Sequence, residues 1–550
     1  MWIASASRCC TPTIAASACW KCASSPRRRS QRRTAVAMTR QPETTPEAIN
    51  AAASWLSAHR WLVRLLLVAA GVLQVLAHAP FGLWPLAIVA LTLLFVIVAL
   101  APARHAFGHG WSYGLGLFGL GVSWVYHSIH LFGDAIAPVA GLLTAGFVAL
   151  LAVLPAILAW LLRRCFPEPR PWQVGLVWPT GWVLLEWVRW WLGGGFPWLL
   201  LGQAVPDTLL GGWLPLGGPL LAGWVLALVA GQLARLLLQP GRWQVLLILL
   251  AAVAAISMVL KRVEWVQPTG RPLQVALVQG NVPQARKWLP EEREPTLARY
   301  RRLTLQHLDS DLVVWPETAI PAYLRSVEMS YLQPLAEATR GTPVLAGVFT
   351  YDYERQGPYN TLLRIDAPYE QAYYKRHLVV FGEYYPLRDL LGLFRGLLDI
   401  PMSDVLEGTR RPLLSVDGIE VGPSICFEVT FPDELADSLP EAGVLVNVSN
   451  DAWFGDSLAP HQHLQIARSS AAALGRPLLR ATNTGITAIV GPRGELLARA
   501  PQFERTVLTG RVQPMQGLTP YARWRNGPVV LIAAIVLFWA CFRRRLAVAS

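Results

Sequence analysis

Cys426 is the single thiol in the polar part of the chain, because no other cysteine falls between Arg262 and Tyr521. It lies in Pro423-Ser424-Ile425-Cys426-Phe427-Glu428, behind the strand-like run Gly418-Ile419-Glu420-Val421. A thiol that ends a strand and precedes an acid can act as a nucleophile once a base takes its proton. The plainer use of such a residue is as a small buried hydrophobe. Lysine usage bears on the choice. The chain has four lysines, Lys21, Lys261, Lys287 and Lys375, against 44 arginines, so a retained lysine points to work that a guanidinium cannot do. Lys375 stands in Tyr373-Tyr374-Lys375-Arg376-His377-Leu378-Val379-Val380-Phe381-Gly382-Glu383, where the adjacent arginine already supplies solvated charge. A compact ammonium on a flexible stem suits a crowded site where charge must come close to a reacting atom. Glu317 is the third group, in Trp315-Pro316-Glu317-Thr318-Ala319-Ile320-Pro321. Alone it reads as a solvated loop acid; with the other two it completes a base, a cation and a thiol on separate strand ends.

Those strand ends need a sheet framework. From Leu273 to about Gly510 short apolar runs alternate with helical stretches. Strands are expected at Leu273–Gln279, Leu312–Trp315, Val344–Phe349, Thr361–Ile365, Gly443–Val448 and Thr487–Val490. The last leads through Gly491-Pro492-Arg493-Gly494 to a partner at Glu495–Ala498, and helices are expected at Pro290–His307 and Tyr331–Thr339. Mixed strands with covering helices give an α/β sandwich.

The rest of the chain is of another kind. With 53% hydrophobic and 15% charged residues and a mean hydropathy of +0.37, the chain is more apolar than a soluble protein, which runs near ~25% charged. Runs able to cross ~30 Å of hydrocarbon occur near Trp61–Leu76, Leu83–Leu100, Gly108–Tyr126, Ala137–Leu162, Trp172–Leu192, Leu214–Leu238 and Trp243–Leu260, with an eighth at Pro528–Phe542. The net charge of +13 calls for no nucleic acid, since the arginines follow the positive-inside rule: Arg60, Arg64, Arg104, Arg163, Arg164, Arg170, Arg235, Arg242 and Arg543–Arg545 fall on one side. The opposite loops, Ser128–Ile136 and Gly193–Trp213, contain no Lys or Arg. Both termini are therefore expected in the cytoplasm and the polar domain outside it, where a lone Cys426 is a free thiol. The expected division is a basic N-terminal extension over 1–58, disordered or started upstream of a true Met38, a membrane bundle of spans 1–7 over 59–264, an extracytoplasmic catalytic domain over 265–524, and span 8 with a cytoplasmic tail over 525–550. Cys19 and Cys22 have no second pair to complete a zinc site, and His461 and His463 lack a third ligand and read as surface residues, so no metal is expected.

The motifs W-P-E-[ST]-A-I-P, K-x-H-L-V-x-F-G-E and I-C-[YF]-E resemble the Glu-Lys-Cys triad of the nitrilase (carbon–nitrogen hydrolase) superfamily. With the membrane spans, the chain is similar to the polytopic apolipoprotein N-acyltransferase family within it. Val278-Gln279-Gly280-Asn281-Val282-Pro283-Gln284 with Lys287-Trp288, Tyr359-Asn360-Thr361, Ser449–Gly455, Thr482–Thr487 and Gly195-Phe196-Pro197-Trp198 extend the likeness. Phe427 stands where that family often has tyrosine, and Val380 where it usually has proline. The resemblance implies a polytopic α-helical bundle of about eight spans with an inserted αββα sandwich, in the bacterial inner membrane with the catalytic domain on the periplasmic side. It further implies an acyl chain passing from a phospholipid to Cys426 and then to the N-terminal amine of a diacylglyceryl apolipoprotein, without cofactor. Glu317 would be the base, Lys375 the oxyanion cation together with a backbone N–H near Phe427, and Glu383 and Glu428 their supports. Trp288, Trp453, Asn360 and Trp198 are the expected substrate-binding residues. A membrane-tethered amidase or nitrilase would share the triad but has no need of seven preceding spans, and a binding or scaffold protein would have no need of the triad.

The charge pattern predicts the sidedness of labelling. A membrane-impermeant thiol reagent added outside the cytoplasm reacts with a cysteine engineered at Asp134 and not with one at Arg163, in a background lacking the other cysteines. The reverse pattern contradicts the orientation.

Overall fold

Backbone polar groups find no water inside a bilayer, so a long apolar run closes its hydrogen bonds within itself as a helix. Every one of the eight apolar runs is helical in the computed structural model, which describes residues 47–133, 135–339, 341–368, 371–384, 404–410 and 412–549. The basic segment 1–46, with its four cysteines, lies outside the described residues; residues 47–58, expected within the disordered or mis-started extension, instead form the helix Glu47–Ala58, and the described chain from Glu47 onward forms one compact unit. The runs are less uniform than eight straight spans. Among the described residues three helices are long and apolar enough to cross a membrane, Ala137–Cys165, Leu209–Leu238 and Trp243–Arg262, or up to five if each of two bent pairs counts as one span. The bent pairs are Asn50–Ala58 with Arg60–Leu76, and Ala103–Gly121 with Val125–Phe132. The second run forms the shorter apolar helix Pro85–Leu100. The fifth is a π-turn, Gln173–Val177, running into Trp178–Trp191, and the last is the helix Gly527–Ala549.

The polar part is a two-sheet sandwich. Its strands are β1 (Leu273–Gln279), β2 (Leu312–Val314), β3 (Val344–Asp352), β4 (Gly357–Arg364), β5 (Tyr373–Tyr374), β6 (Leu414–Val416), β7 (Ile419–Ile425), β8 (Ala442–Ser449), β9 (Leu478–Thr482), β10 (Ala488–Val490), β11 (Leu496–Arg499) and β12 (Thr506–Val512). One six-stranded sheet runs β12-β1-β2-β3-β4-β5, the other β11-β10-β9-β8-β7-β6. The centre of each is parallel, β1 with β2 and β3 in one, β7 with β8 and β9 in the other. Period-2 alternation divides each strand between two cores. Leu273, Val275 and Leu277 of β1 meet Val444, Val446 and Val448 of β8 between the sheets. Ala276 and Val278 turn to the outer layer under the helix Pro290–Leu305, and Leu445 turns to the layer under Ala459–Leu474. The result is the expected αββα order. The hairpin β6–β7 turns on Asp417 and Gly418, both at positive φ, the Asp-Gly pair that suits a two-residue turn.

Sandwich and helices are joined through aromatic and polar contacts. Trp198, fully buried, donates from Nε1 to Gln462 Oε1 at 2.6 Å and packs near Phe427, Phe454 and His463. Trp190 Nε1 donates to Asp433 Oδ1 at 3.0 Å, His377 Nε2 lies 2.8 Å from the Gly194 carbonyl, and Ser128 Oγ donates to the Trp453 carbonyl at 2.8 Å. Removing the Trp198 ring leaves a cavity at the centre of this joint, a loss of about 3–5 kcal/mol. Trp198→Ala therefore lowers the thermal unfolding midpoint of the purified protein in detergent by several degrees; an unchanged midpoint contradicts the role of this ring as the joint.

Candidate active site

Parallel strands deliver their C-terminal ends to one edge, and the three groups with chemical potential stand there. Glu317 follows β2 in a turn pressed against β3: a Cβ on Gly347 would sit 2.4 Å from the Pro316 carbonyl and 2.5 Å from the Thr318 nitrogen. Only glycine lets that turn approach so closely. Lys375 follows β5, its amide donating to the Asn360 carbonyl of β4 at 2.9 Å. Cys426 ends β7 with φ +54°, a left-handed conformation that costs a non-glycine residue about 1 kcal/mol or more. Such strain held at a strand-to-helix elbow aims a side chain out of the sheet.

The charges interlock. Lys375 Nζ, 1% exposed, donates to Glu383 Oε1 at 2.8 Å and lies 3.7 Å from Glu317 Oε1. Asn360 Nδ2 donates to Glu317 Oε1 at 2.7 Å and reaches Glu383 Oε1 at 3.4 Å, while the Asn450 backbone N–H donates to Glu317 Oε2 at 2.8 Å. Glu383 Oε2 accepts from the Val379 amide at 2.9 Å. Burial pulls the Lys375 ammonium down, but Glu383 and Glu317 together outweigh it and leave its pKa above the ordinary lysine value. For the Cys426 thiol, burial and then the Glu317 carboxylate push the pKa up, more than the Lys375 ammonium lowers it. The thiol is therefore protonated at rest. An arrangement of this kind can do one thing well: a carboxylate takes the thiol proton as the sulfur attacks, and a fixed ammonium meets the oxyanion that forms.

Glu428, fully buried, is bound to backbone and not to Lys375. It accepts from Tyr373 Oη at 2.8 Å, from the Arg376 and His377 amides at 2.7 and 3.1 Å, and from the Ile425 amide at 2.7 Å. One carboxylate thus ties the cysteine elbow to the lysine strand. Phe427 stacks toward Trp198 and meets His377 and Phe431 edge-on, an environment without call for a hydroxyl. Asn360 is buried beside the two carboxylates, and Trp198 is buried in the joint; both lie behind the site surface. Trp288, 44% exposed, and Trp453 instead line an apolar cavity of ≈ 630 Å³ with Phe132, Tyr323 and Phe349. Gln284 also lines it and accepts from Asn450 Nδ2 at 2.7 Å, so the cavity wall is one residue removed from the Glu317 carboxylate.

A second buried network lies behind the thiol and was not anticipated. Asn447 Nδ2 donates to the Cys426 carbonyl at 3.2 Å, and Asn447 in turn accepts from Arg480. Arg480 donates to Asp451 Oδ2 at 2.9 Å, and Ser449 Oγ to Asp451 Oδ1 at 2.8 Å. Burial pushes the Asp451 carboxyl up, yet Arg480 and His463 outweigh that and hold it below the usual range. His463, expected at the surface, is buried against Asp451 and Arg480, because its helix Ala459–Leu474 is covered by the sandwich on one side and Trp198 on the other. The signal for this network in the sequence was Arg480 itself, a charge inside the apolar strand Leu478–Thr482. Glu186 and Arg189 are both buried but make no direct ion pair; Glu186 accepts from Trp182 Nε1 at 3.0 Å and from the Leu201 amide at 2.9 Å.

Residues 70–232 match the family profile of the apolipoprotein N-acyltransferase N-terminal domain, and residues 274–521 that of carbon–nitrogen hydrolases. An apolipoprotein N-acyltransferase of Methylococcus capsulatus is 44% identical over 485 residues, covering 88% of this chain and 96% of the relative. The Azotobacter vinelandii enzyme of that name is 43% identical over 89% of this chain and 97% of its own, and the Pseudomonas aeruginosa enzyme 40% over 90% and 98%. With both parts of the chain matched, and with relatives aligned across nearly their whole length, the chain belongs to the apolipoprotein N-acyltransferase family.

Proposed function

We propose that this enzyme transfers a fatty acyl chain from a phospholipid to the N-terminal amine of a diacylglyceryl-cysteine lipoprotein, by way of a thioester on Cys426. The observation that carries this reading is the buried Lys375 ammonium, held 2.8 Å from Glu383 and 3.7 Å from Glu317, beside a thiol that burial keeps protonated. In the first half-reaction Glu317 takes the Cys426 proton as sulfur attacks the ester carbonyl. Lys375 meets the oxyanion. Collapse expels the glycerol oxygen, which recovers the proton from Glu317, and a lysophospholipid leaves. In the second, the acceptor amine attacks the thioester, Glu317 takes its proton, and the thiol is regenerated. Glu383 orients Lys375, and Asn360 and the Asn450 amide orient Glu317. Trp288 and Trp453, on the apolar cavity, contact the acyl chains, and Phe427, Trp198 and Glu428 hold the elbow. No cofactor enters either step.

Both substrates are lipid-anchored, which supports a multi-pass protein of the bacterial inner membrane. In this reading the helical segment 59–264 gives seven spans, the sandwich over 265–524 stands on the periplasmic side, and 525–550 returns to the cytoplasm. Counting the two bent pairs, the shorter helix Pro85–Leu100, the helix Trp178–Trp191 and the last helix Gly527–Ala549 as spans supports that number and the final return, and the Lys/Arg-free loops Ser128–Ile136 and Gly193–Trp213 support the orientation. A membrane-tethered carbon–nitrogen hydrolase would use the same three groups. The match of 70–232 to the N-acyltransferase N-terminal domain favours transfer.

Lys375→Arg keeps the charge but brings a planar, bulkier group beside the oxyanion. Turnover falls by about 10²–10³, as for loss of one stabilising donor; near-normal turnover in folded protein contradicts the role. The thioester itself is visible by intact-protein mass spectrometry. Incubated with phospholipid and no acceptor, the wild type gains one acyl mass that neutral hydroxylamine removes, and Cys426→Ser gains none. An unmodified Cys426 that still supports N-acylation excludes the covalent route, and an adduct discharged only to water supports the hydrolase reading.

A further inference from the structure

Lys287 is the second buried lysine of a chain that has four, and none of the steps above uses it. It ends the short helix Gln284–Lys287, immediately before Trp288 at the cavity wall. Its Nζ donates to Thr318 Oγ1 at 2.5 Å and lies 3.5 Å from the Glu317 carbonyl oxygen. Among the described residues no carboxylate comes within 4.0 Å of it. Burying an ammonium with only a hydroxyl and a carbonyl for partners is costly, and an arginine would be too broad for the same contacts. The strain converges on the same turn: Thr318 has φ +45°, and Gly347 closes on the other side of Pro316-Glu317-Thr318.

We propose that Lys287 is a positioning residue for Glu317: it clamps the Glu317–Thr318 turn against Gly347 and supplies a second positive charge behind the carboxylate, so that Glu317 is aimed and ionised where it must take the thiol proton. The inference rests on Glu317 as the base. The charged and titratable groups facing Glu317 are Lys375 and Glu383 on one side, Cys426 on another, and Lys287 behind; Asp451, beyond Cys426, is paired with Arg480 and His463. Burial brings the Lys287 ammonium down to about 8, with Glu317 the one charge that opposes the shift. It is therefore charged at neutral pH and neutral a few units below the point where an exposed lysine titrates. An ammonium favours the ionised form of a nearby carboxylate, so the variants below separate the charge of Lys287 from its fit.

The test is the rate of acyl-thioester formation on the full-length protein from phosphatidylethanolamine in mixed micelles, followed by intact-protein mass spectrometry from pH 5 to 9. Lys287→Met is expected to move the acidic limb of the profile to higher pH by about one unit and to lower the plateau about tenfold. Lys287→Arg, which restores charge without the fit, is expected to return the limb but not the plateau. A Lys287→Met protein that melts like the wild type and keeps its acidic limb overturns the proposal, even if its rate is lower. Should Lys287→Met fail to fold, Thr318→Val decides: it keeps the charge and removes the hydroxyl, and is expected to lower the rate about tenfold with the limb unmoved. A wild-type rate in Thr318→Val overturns the clamp. Failure of the wild type to form any thioester would instead overturn the covalent reading on which the proposal stands.

Discussion

The whole site depends on one arrangement that is costly to build: a buried ammonium shared between two buried carboxylates. An ion taken out of water loses several kcal/mol even in a relaxed protein, and recovers it only where partners are close and every remaining proton and lone pair is matched. Lys375 meets that condition through Glu383 and Glu317, which are themselves satisfied by Asn360, the Val379 amide and the Asn450 amide. Because those partners lie on β4, on the segment after β5 and on the loop after β8, the cluster can exist only when both sheets are in register. The chemistry and the fold are thus one constraint.

The same dependence explains the strained elbow and the second network behind it. Cys426 is held left-handed, a state that persists only where its surroundings over-determine it. Glu428 collects amides on both sides of the elbow, from Ile425 and from Arg376 and His377. Asn447, Arg480 and Asp451 fix the Cys426 carbonyl from below. Trp198 closes the far side with a ring from the helical part. Cys426, the proposed nucleophile, is therefore braced from the sheet, from the lysine strand and from the helices at once.

Much of this was legible in the sequence, for reasons that particular residues make clear. Glu317, Lys375 and Cys426 each end a short apolar run, and a scarce lysine or a lone thiol stands out against an arginine-rich, cysteine-poor background. The alternating runs pointed to an α/β sandwich, and β3, β4 and β7 are longer than their apolar cores suggested, because their ends pair in antiparallel ladders or extend to the site, while β5, β6, β9 and β12 and the helix Ala459–Leu474 were not read at all. What could not be read was long-range. Glu428 appeared as a helper of Lys375, yet its partners are the Tyr373 hydroxyl, the Ile425 amide and the backbone amides of His377 and Arg376, 51 and 52 residues away. Trp198 and Asn360 appeared as substrate contacts, yet burial assigns them to the joint and to the carboxylate pair. His463 appeared as a surface histidine because nothing local marks the face of a helix that another domain will cover. Hydropathy found the eight apolar helical runs but neither the helix Glu47–Ala58 nor the bends at His59 and near Val122, where backbone geometry and not composition decides.

If Glu317 takes the thiol proton and Lys375 meets the oxyanion, as proposed, the first half-reaction runs without the acceptor. The most direct measurement is the stoichiometry of lysophospholipid release when enzyme and phospholipid are mixed rapidly in the absence of any acceptor amine. The account predicts a burst of one lysophospholipid per active site followed by arrest. Release that begins only when the acceptor is added would mean that no acyl-enzyme forms, and would contradict it.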